Sequence, residues 1–313
     1  MIADRGGMQA SSAQLGSSNA NRLDLSRPSG TRTVTNFVAV GLCALATVLA
    51  IIPLVWILWS VITKGLPVIT NATWWSHDQV GVTMRRVGGG AVHALVGTVE
   101  IGLICGVVAV PLAVLGAIYL VEYGRGSKLA RGISFMVDIL SGIPSIVAAL
   151  FLYALVITIF GLNRSAVAAA MSLVLLMLPV VLRSTEEMLK LVPDSLREAS
   201  YALGVPKWKT VMQVVLPTAF GGIATGVVLG LARVMGETAP LLILVAYATN
   251  LQFDPASTNL ATLPTMINAG RDTPEQMPGY ARVWGAALTL ILLVMLLNLL
   301  ARGISRSTRL KER

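Results

Sequence analysis

The chain's 313 residues have a mean hydropathy of +0.76, with 55% hydrophobic and only 12% charged residues. A soluble domain of this length does not spread apolar residues so evenly, so the composition excludes that class and indicates a polytopic membrane protein. The formal charge of +9 would point a soluble chain towards nucleic acid; in a membrane protein it raises the question of sidedness, and no nucleic-acid partner is expected.

Residues 1–33 are polar, rich in Ser, Asn and Arg, and lack an early apolar core, so they read as a disordered cytosolic tail rather than a cleaved leader. Apolar runs of about 20 residues then predict an all-α protein with six transmembrane helices, near 36–63, 92–122, 132–160, 165–189, 217–248 and 281–303. The permease body is placed at 34–304, followed by a basic cytosolic tail, 305–313. With the N terminus inside, Lys and Arg number 16 on the cytosolic side against 6 outside, so both termini are expected in the cytosol. Cys43 and Cys105 lie in apolar runs and give neither a disulfide framework nor a metal site.

Two sizeable segments, 64–91 and 249–280, fall outside. Trp74 and Trp75 in the first suit interfacial anchoring or, alternatively, docking of an external partner. His93 is expected at a solvated outer helix end. Glu100 and Asp138, in or near the second and third spans, have no evident partner in this chain and are candidates for pairing with another subunit.

The cytosolic loop at about 190–216 is the most informative connection. Ser195 and Glu198 have capping-box spacing, Gly204 suits the end of a short helix, and Pro206 stops it. Trp208, Val211, Met212 and Val215 then recur at helical spacing, giving one apolar face before Leu216-Pro217. This arrangement resembles the EAA loop of ABC importer permeases. Glu198, Ala199, Gly204, Leu216 and Pro217 match with full spacing, while Ser200 and Val214 depart from it mildly. The resemblance makes Glu198, Ala199, Ser200 and Gly204 candidates for coupling to an ATPase; an amphipathic helix resting on the membrane is the plainer reading. The sequence contains no Gly-Lys-Ser/Thr phosphate-binding loop, so ATP and Mg are assigned to a partner and no cofactor to this chain.

Charges within the spans carry the remaining signal. Arg233 sits in the long apolar stretch from Pro217 to Ala248, with Glu237 one turn later. A guanidinium at that depth costs roughly 2.5–3.5 kcal/mol on insertion scales, so it should face protein or a water-filled path. Gly222, Gly226 and Gly230 form a small-residue stripe on the same helix, expected to pack on a face other than that of the charged pair. Arg183, with Glu186 and Glu187 following, is either a snorkelling anchor near the cytosolic end or part of the path.

The stretches Arg183–Glu187, Leu231–Leu241, Gly142–Val147 and Tyr119–Tyr123 resemble the phosphate-specific ABC permeases, the A-type subunit of the Pst system, from about residue 88 to the C terminus. That resemblance implies the type I ABC importer permease fold in a bacterial inner membrane. It also implies inorganic phosphate as substrate, with Arg233, Glu237, Arg183 and Glu186 serving translocation. The implied partners are a second, homologous permease subunit forming a heterodimer, two copies of a cytosolic ATPase and an external phosphate-binding protein, all in a lipid membrane. Phosphate suits such a site because the planar Arg fork gives two parallel charge-assisted hydrogen bonds to an oxyanion. The alternatives are an ABC permease for another solute, or a secondary transporter or channel using Arg233 and Glu237 as a relay.

Overall fold

Proline and glycine decide where the apolar runs become separate helices. The computed structural model describes residues 30–254 and 256–310. The expected tail falls outside the described residues as far as position 29, and helix has already begun at Gly30. The chain divides into two units, 1–57 and 58–313. The described part of the first is the leading stretch of α1 (Gly30–Ile69), whose large side chains, Phe37 and Trp56 among them, are exposed.

In the second unit, α2 (Ala72–Ser76) leads to α3 (Val92–Ile118), which widens into a π-helical turn at Tyr119–Tyr123. Next come α4 (Lys128–Ser141), α5 (Ser145–Leu152) with its π-helical extension to Ile159, and α6 (Ala166–Lys190). The loop at 190–216 forms α7 (Asp194–Ala202) and α8 (Lys207–Thr210), and α8 passes through a π-helical turn into α9 (Leu216–Met235). Three more helices, α10 (Ala239–Leu244), α11 (Leu263–Gly270) and α12 (Pro278–Leu310), complete the chain, α12 passing the boundary expected at 304. Among the described residues, five helices are long and apolar enough to cross a membrane, and the pair α4–α5 makes a sixth span if taken together.

That pair corrects the straight third span: its two halves meet at 107°. Pro144 has no N–H to donate and disfavours helical geometry at the residue before it, so α4 stops at Gly142 and the chain turns. The fifth span is corrected at both ends. It is continuous from Lys207, and it stops at Met235, with Gly236–Thr238 non-helical before α10.

The core lies between α3 and α6, the most extensive helix pairing. Small α3 residues, Cys105, Ala109, Ala113 and Ala117, meet Leu173, Met177 and Val181 of α6, all fully buried. The glycine stripe brings α9 onto α6: a Cβ built on Gly226 would lie 2.1 Å from Ser184 Oγ, and one on Gly230 2.9 Å from Val181 Cγ2. Trp74 is neither an anchor nor a docking residue. It is buried at 1% exposure and its Nε1 donates to Thr289 Oγ1 at 3.0 Å. His93 is likewise buried, edge-on to Tyr247, where a solvated ring was expected.

Candidate functional site

A cavity of about 170 Å³ opens at the α4–α5 elbow. Leu140, Ser141 and Ile143 line it from the elbow, Pro179 and Arg183 from α6, and Arg233 from α9. The structure thus brings together two arginines that lie fifty positions apart in sequence. Arg233 reaches α6 because it stands seven residues beyond Gly226, about two helical turns, and so leaves α9 on the glycine side. The expectation that stripe and charge face different ways is corrected. Gly230 packs level with Val181 and Met177, near the middle of α6, which sets the depth of Arg233.

The two guanidinium groups are held differently. Arg183 donates to Glu186 Oε2 at 2.6 Å, to Asp138 Oδ1 at 2.5 Å and to the Ser134 carbonyl at 3.1 Å. Lys190 Nζ donates to the other oxygen of Glu186 at 2.7 Å. Local anchoring of Arg183 and its place on the cavity therefore coexist, and Asp138, expected to look to another subunit, pairs within this chain. Glu186 is buried and both its oxygens are engaged, so it holds Arg183 and does not line the cavity. The four charges Arg183, Lys190, Asp138 and Glu186 cancel.

Arg233 is exposed at the chain's surface and, among the described residues, forms no ion pair. The expected i,i+4 pair with Glu237 is absent, because α9 ends at Met235 and Glu237 sits in the non-helical break, its N–H donating to the Val234 carbonyl. The uncompensated charge on the cavity wall is therefore that of Arg233. Both oxygens of Glu100 are buried without a hydrogen-bond partner in the described chain.

In the 190–216 loop α7 starts at Asp194 with Pro193 before it, so the Ser195–Glu198 capping box does not form. Gly204 adopts φ +74°, the left-handed conformation that ends the helix. Glu198, Ala199 and Gly204 are exposed. Ser200 is buried and shares a 2.8 Å hydrogen bond with Thr210, so its hydroxyl fastens α7 to α8. The single apolar face expected after it divides in two: Val211 and Val215 are buried, whereas Trp208 and Met212 are exposed.

Residues 109–310 match the family described as binding-protein-dependent transport system inner membrane component. The chain belongs to that family. It is 51% identical over 273 residues to the phosphate transport system permease protein PstA 1 of Mycobacterium tuberculosis strain H37Rv, covering 87% of this chain and 88% of that one. To the PstA of Yersinia pestis it is 41% identical, covering 80% and 83%. Among solved structures, a bacterial alginate ABC transporter matches with a TM-score of 0.60 at 14% identity, covering 87% of this chain and 95% of that one. The inward-facing MetNI methionine ABC transporter matches at 0.53 and 23%, covering 69% and 93%. The fold is that of the ABC importer permeases, and the protein is a multi-pass inner membrane component.

Sequence reasoning did not find Arg197. It lies beside Glu198 but points inward, 6% exposed, and donates from Nη2 to Glu122 Oε1 at 2.8 Å. A lone Arg on a mostly exposed helix was the only signal, and its acid stands 75 positions away.

Proposed function

We propose that this chain is a permease subunit of an ATP-driven inorganic phosphate importer, with the cavity between Arg183 and Arg233 lying on the substrate path. The observation that carries the reading is the uncompensated Arg233 facing a pinned Arg183 across one cavity. A tetrahedral oxyanion is met from two sides by fork-shaped donors, and it supplies the negative charge that Arg233 lacks. Arg233 is also exposed at mid-depth, where contact with lipid is costly, and this supports a second permease subunit opposite it. The names of the 41–51% identical relatives support phosphate as the anion.

In this reading two copies of a cytosolic ATPase bind ATP and Mg and dock on Glu198, Ala199 and the Gly204 end of α7. An external binding protein delivers phosphate to the outer face, both termini are cytosolic, and no catalytic chemistry occurs in this chain. Alternating access would expose the arginine cavity to one side and then to the other. The test is uptake of labelled phosphate into proteoliposomes holding this chain with its co-purifying subunits, with and without ATP. ATP-dependent uptake that excess sulfate does not inhibit is expected. Uptake persisting without ATP hydrolysis would instead identify a channel or secondary transporter.

A further inference from the structure

Among the described residues Arg197 is the most heavily hydrogen-bonded side chain. From α7 its Nε and Nη2 both donate to Glu122 Oε1, at 3.1 and 2.8 Å. Nη2 also reaches the Leu189 carbonyl at 2.9 Å, and Nη1 the Val192 carbonyl at 2.6 Å and Asp194 at 3.0 Å. Glu122 sits in the π-helical turn that ends α3, and Leu189 in the last turn of α6. Both charged side chains are buried, at 7% and 4% exposure. Two further contacts reach the same end of α3: Arg125 Nε donates to the Val121 carbonyl while its Nη2 lies 4.0 Å from Asp194 of α7, and Lys207 of α8 stands over the Tyr123 ring at 5.1 Å.

We propose that Arg197 and Glu122 form the clamp that carries displacement of α7 into α3 and α6, and through α6 to Arg183. The outer face of α7 is free to be pushed, while its inner face is tied at one guanidinium to the ends of the two helices that make the core. Leu189 lies about two turns below Arg183 on the same helix, so a shift of that end moves one wall of the cavity. A planar fork with five donors suits this task, since it can hold a carboxylate and two backbone carbonyls at once. Arg197 and Glu122 are positioning residues, acting through Arg183. The inference rests on α7 being the ATPase-docking helix.

The experiment uses the complex purified with its partner subunits, carrying Ser141→Cys as a reporter in the cavity and Cys43→Ser to remove the exposed thiol. The rate of labelling by a water-soluble thiol reagent is compared with and without ATP and vanadate, alongside ATP hydrolysis and ATPase co-purification. The clamp variant is Glu122→Leu with Arg197→Met, which removes both buried charges together and leaves neither unpaired. ATP is expected to change the labelling rate several-fold in the parent. In the variant that response is expected to vanish while the ATPase stays bound and hydrolyses ATP, and uptake per ATP in the Ser141 background falls by roughly 10-fold or more, a typical coupling magnitude. An undiminished labelling response overturns the proposal. So does loss of ATPase binding or of the assembled complex, which would make the pair structural only. The labelling readout asks only whether nucleotide changes access to the cavity and does not depend on which solute is carried, so failure of the phosphate reading leaves this test standing. A Gly204→Val complex that keeps its ATPase and its response removes the premise about α7 instead.

Discussion

A guanidinium at mid-depth, without a carboxylate to share its charge, is stable only if something else supplies the counter-charge for part of its working life. Arg233 is in that position and Arg183 is not. Arg233→Gln is therefore expected to lower phosphate uptake on the order of 100-fold, the cost of removing one member of a desolvated charge contact, with assembly intact. Arg233→Lys should be poor as well, since it keeps the charge and loses the fork; labelled-phosphate uptake measures both. Arg233→Leu combined with Glu237→Leu should not restore uptake, because the two residues are not paired. Near-normal uptake in that double variant would remove Arg233 from the path. Arg183→Gln is expected to act differently. It frees Asp138 and one oxygen of Glu186 together and loosens α4 from α6, so thermal stability of the complex should fall along with uptake. Arg233 was legible in the sequence through the cost of its depth. Its lack of a partner was not, because the helix end at Met235 has no strong stop signal beyond Gly236.

At the scale of the elements, the breaks matter as much as the spans. Five long helices and their order follow from apolar runs alone, since lipid leaves the backbone no other partners. The 107° elbow was hidden in a run that stays apolar through Gly142-Ile143-Pro144, where hydropathy reads on and only the backbone stops. Inward-facing residues were hidden for a related reason: Trp74, His93 and Ser200 are types that also live at interfaces, and their burial depends on elements far off in sequence. The glycine stripe was legible as a packing surface, and Gly226→Leu tests it. Forcing a side chain against Ser184 is expected to cost about 1–3 kcal/mol or more of packing, seen as a lowered melting temperature of the purified complex. Gly204 makes a separate test, because a Cβ there meets open space in this chain. Gly204→Ala bears only the left-handed backbone cost of about 1–2 kcal/mol, which Asn largely escapes. If helix termination alone matters, Gly204→Asn binds the ATPase normally in pull-down and Gly204→Ala weakly; if the partner lies against Gly204, both bind weakly.

For the whole molecule, the exposure of Arg233 bears on the second permease subunit proposed above. Expressed without a second permease, the chain should reach membranes at a level roughly 10-fold lower, because a mid-depth arginine facing lipid is costly; quantitative immunoblotting of membranes checks this, and an unchanged level would show that Arg233 is already shielded. The α6–α9 contact also has a consequence for size. With glycines at the crossing, the spacing of the two helices is fixed by backbone against side chain, and it has little room to yield. Arg183 is pinned by three acceptors on its helix and on α4, while Arg233 swings from a backbone that cannot retreat. On the substrate path proposed above, the two guanidinium groups would work as a caliper with one fixed jaw and one sprung jaw. Such an instrument gauges an anion by its diameter as well as by its charge.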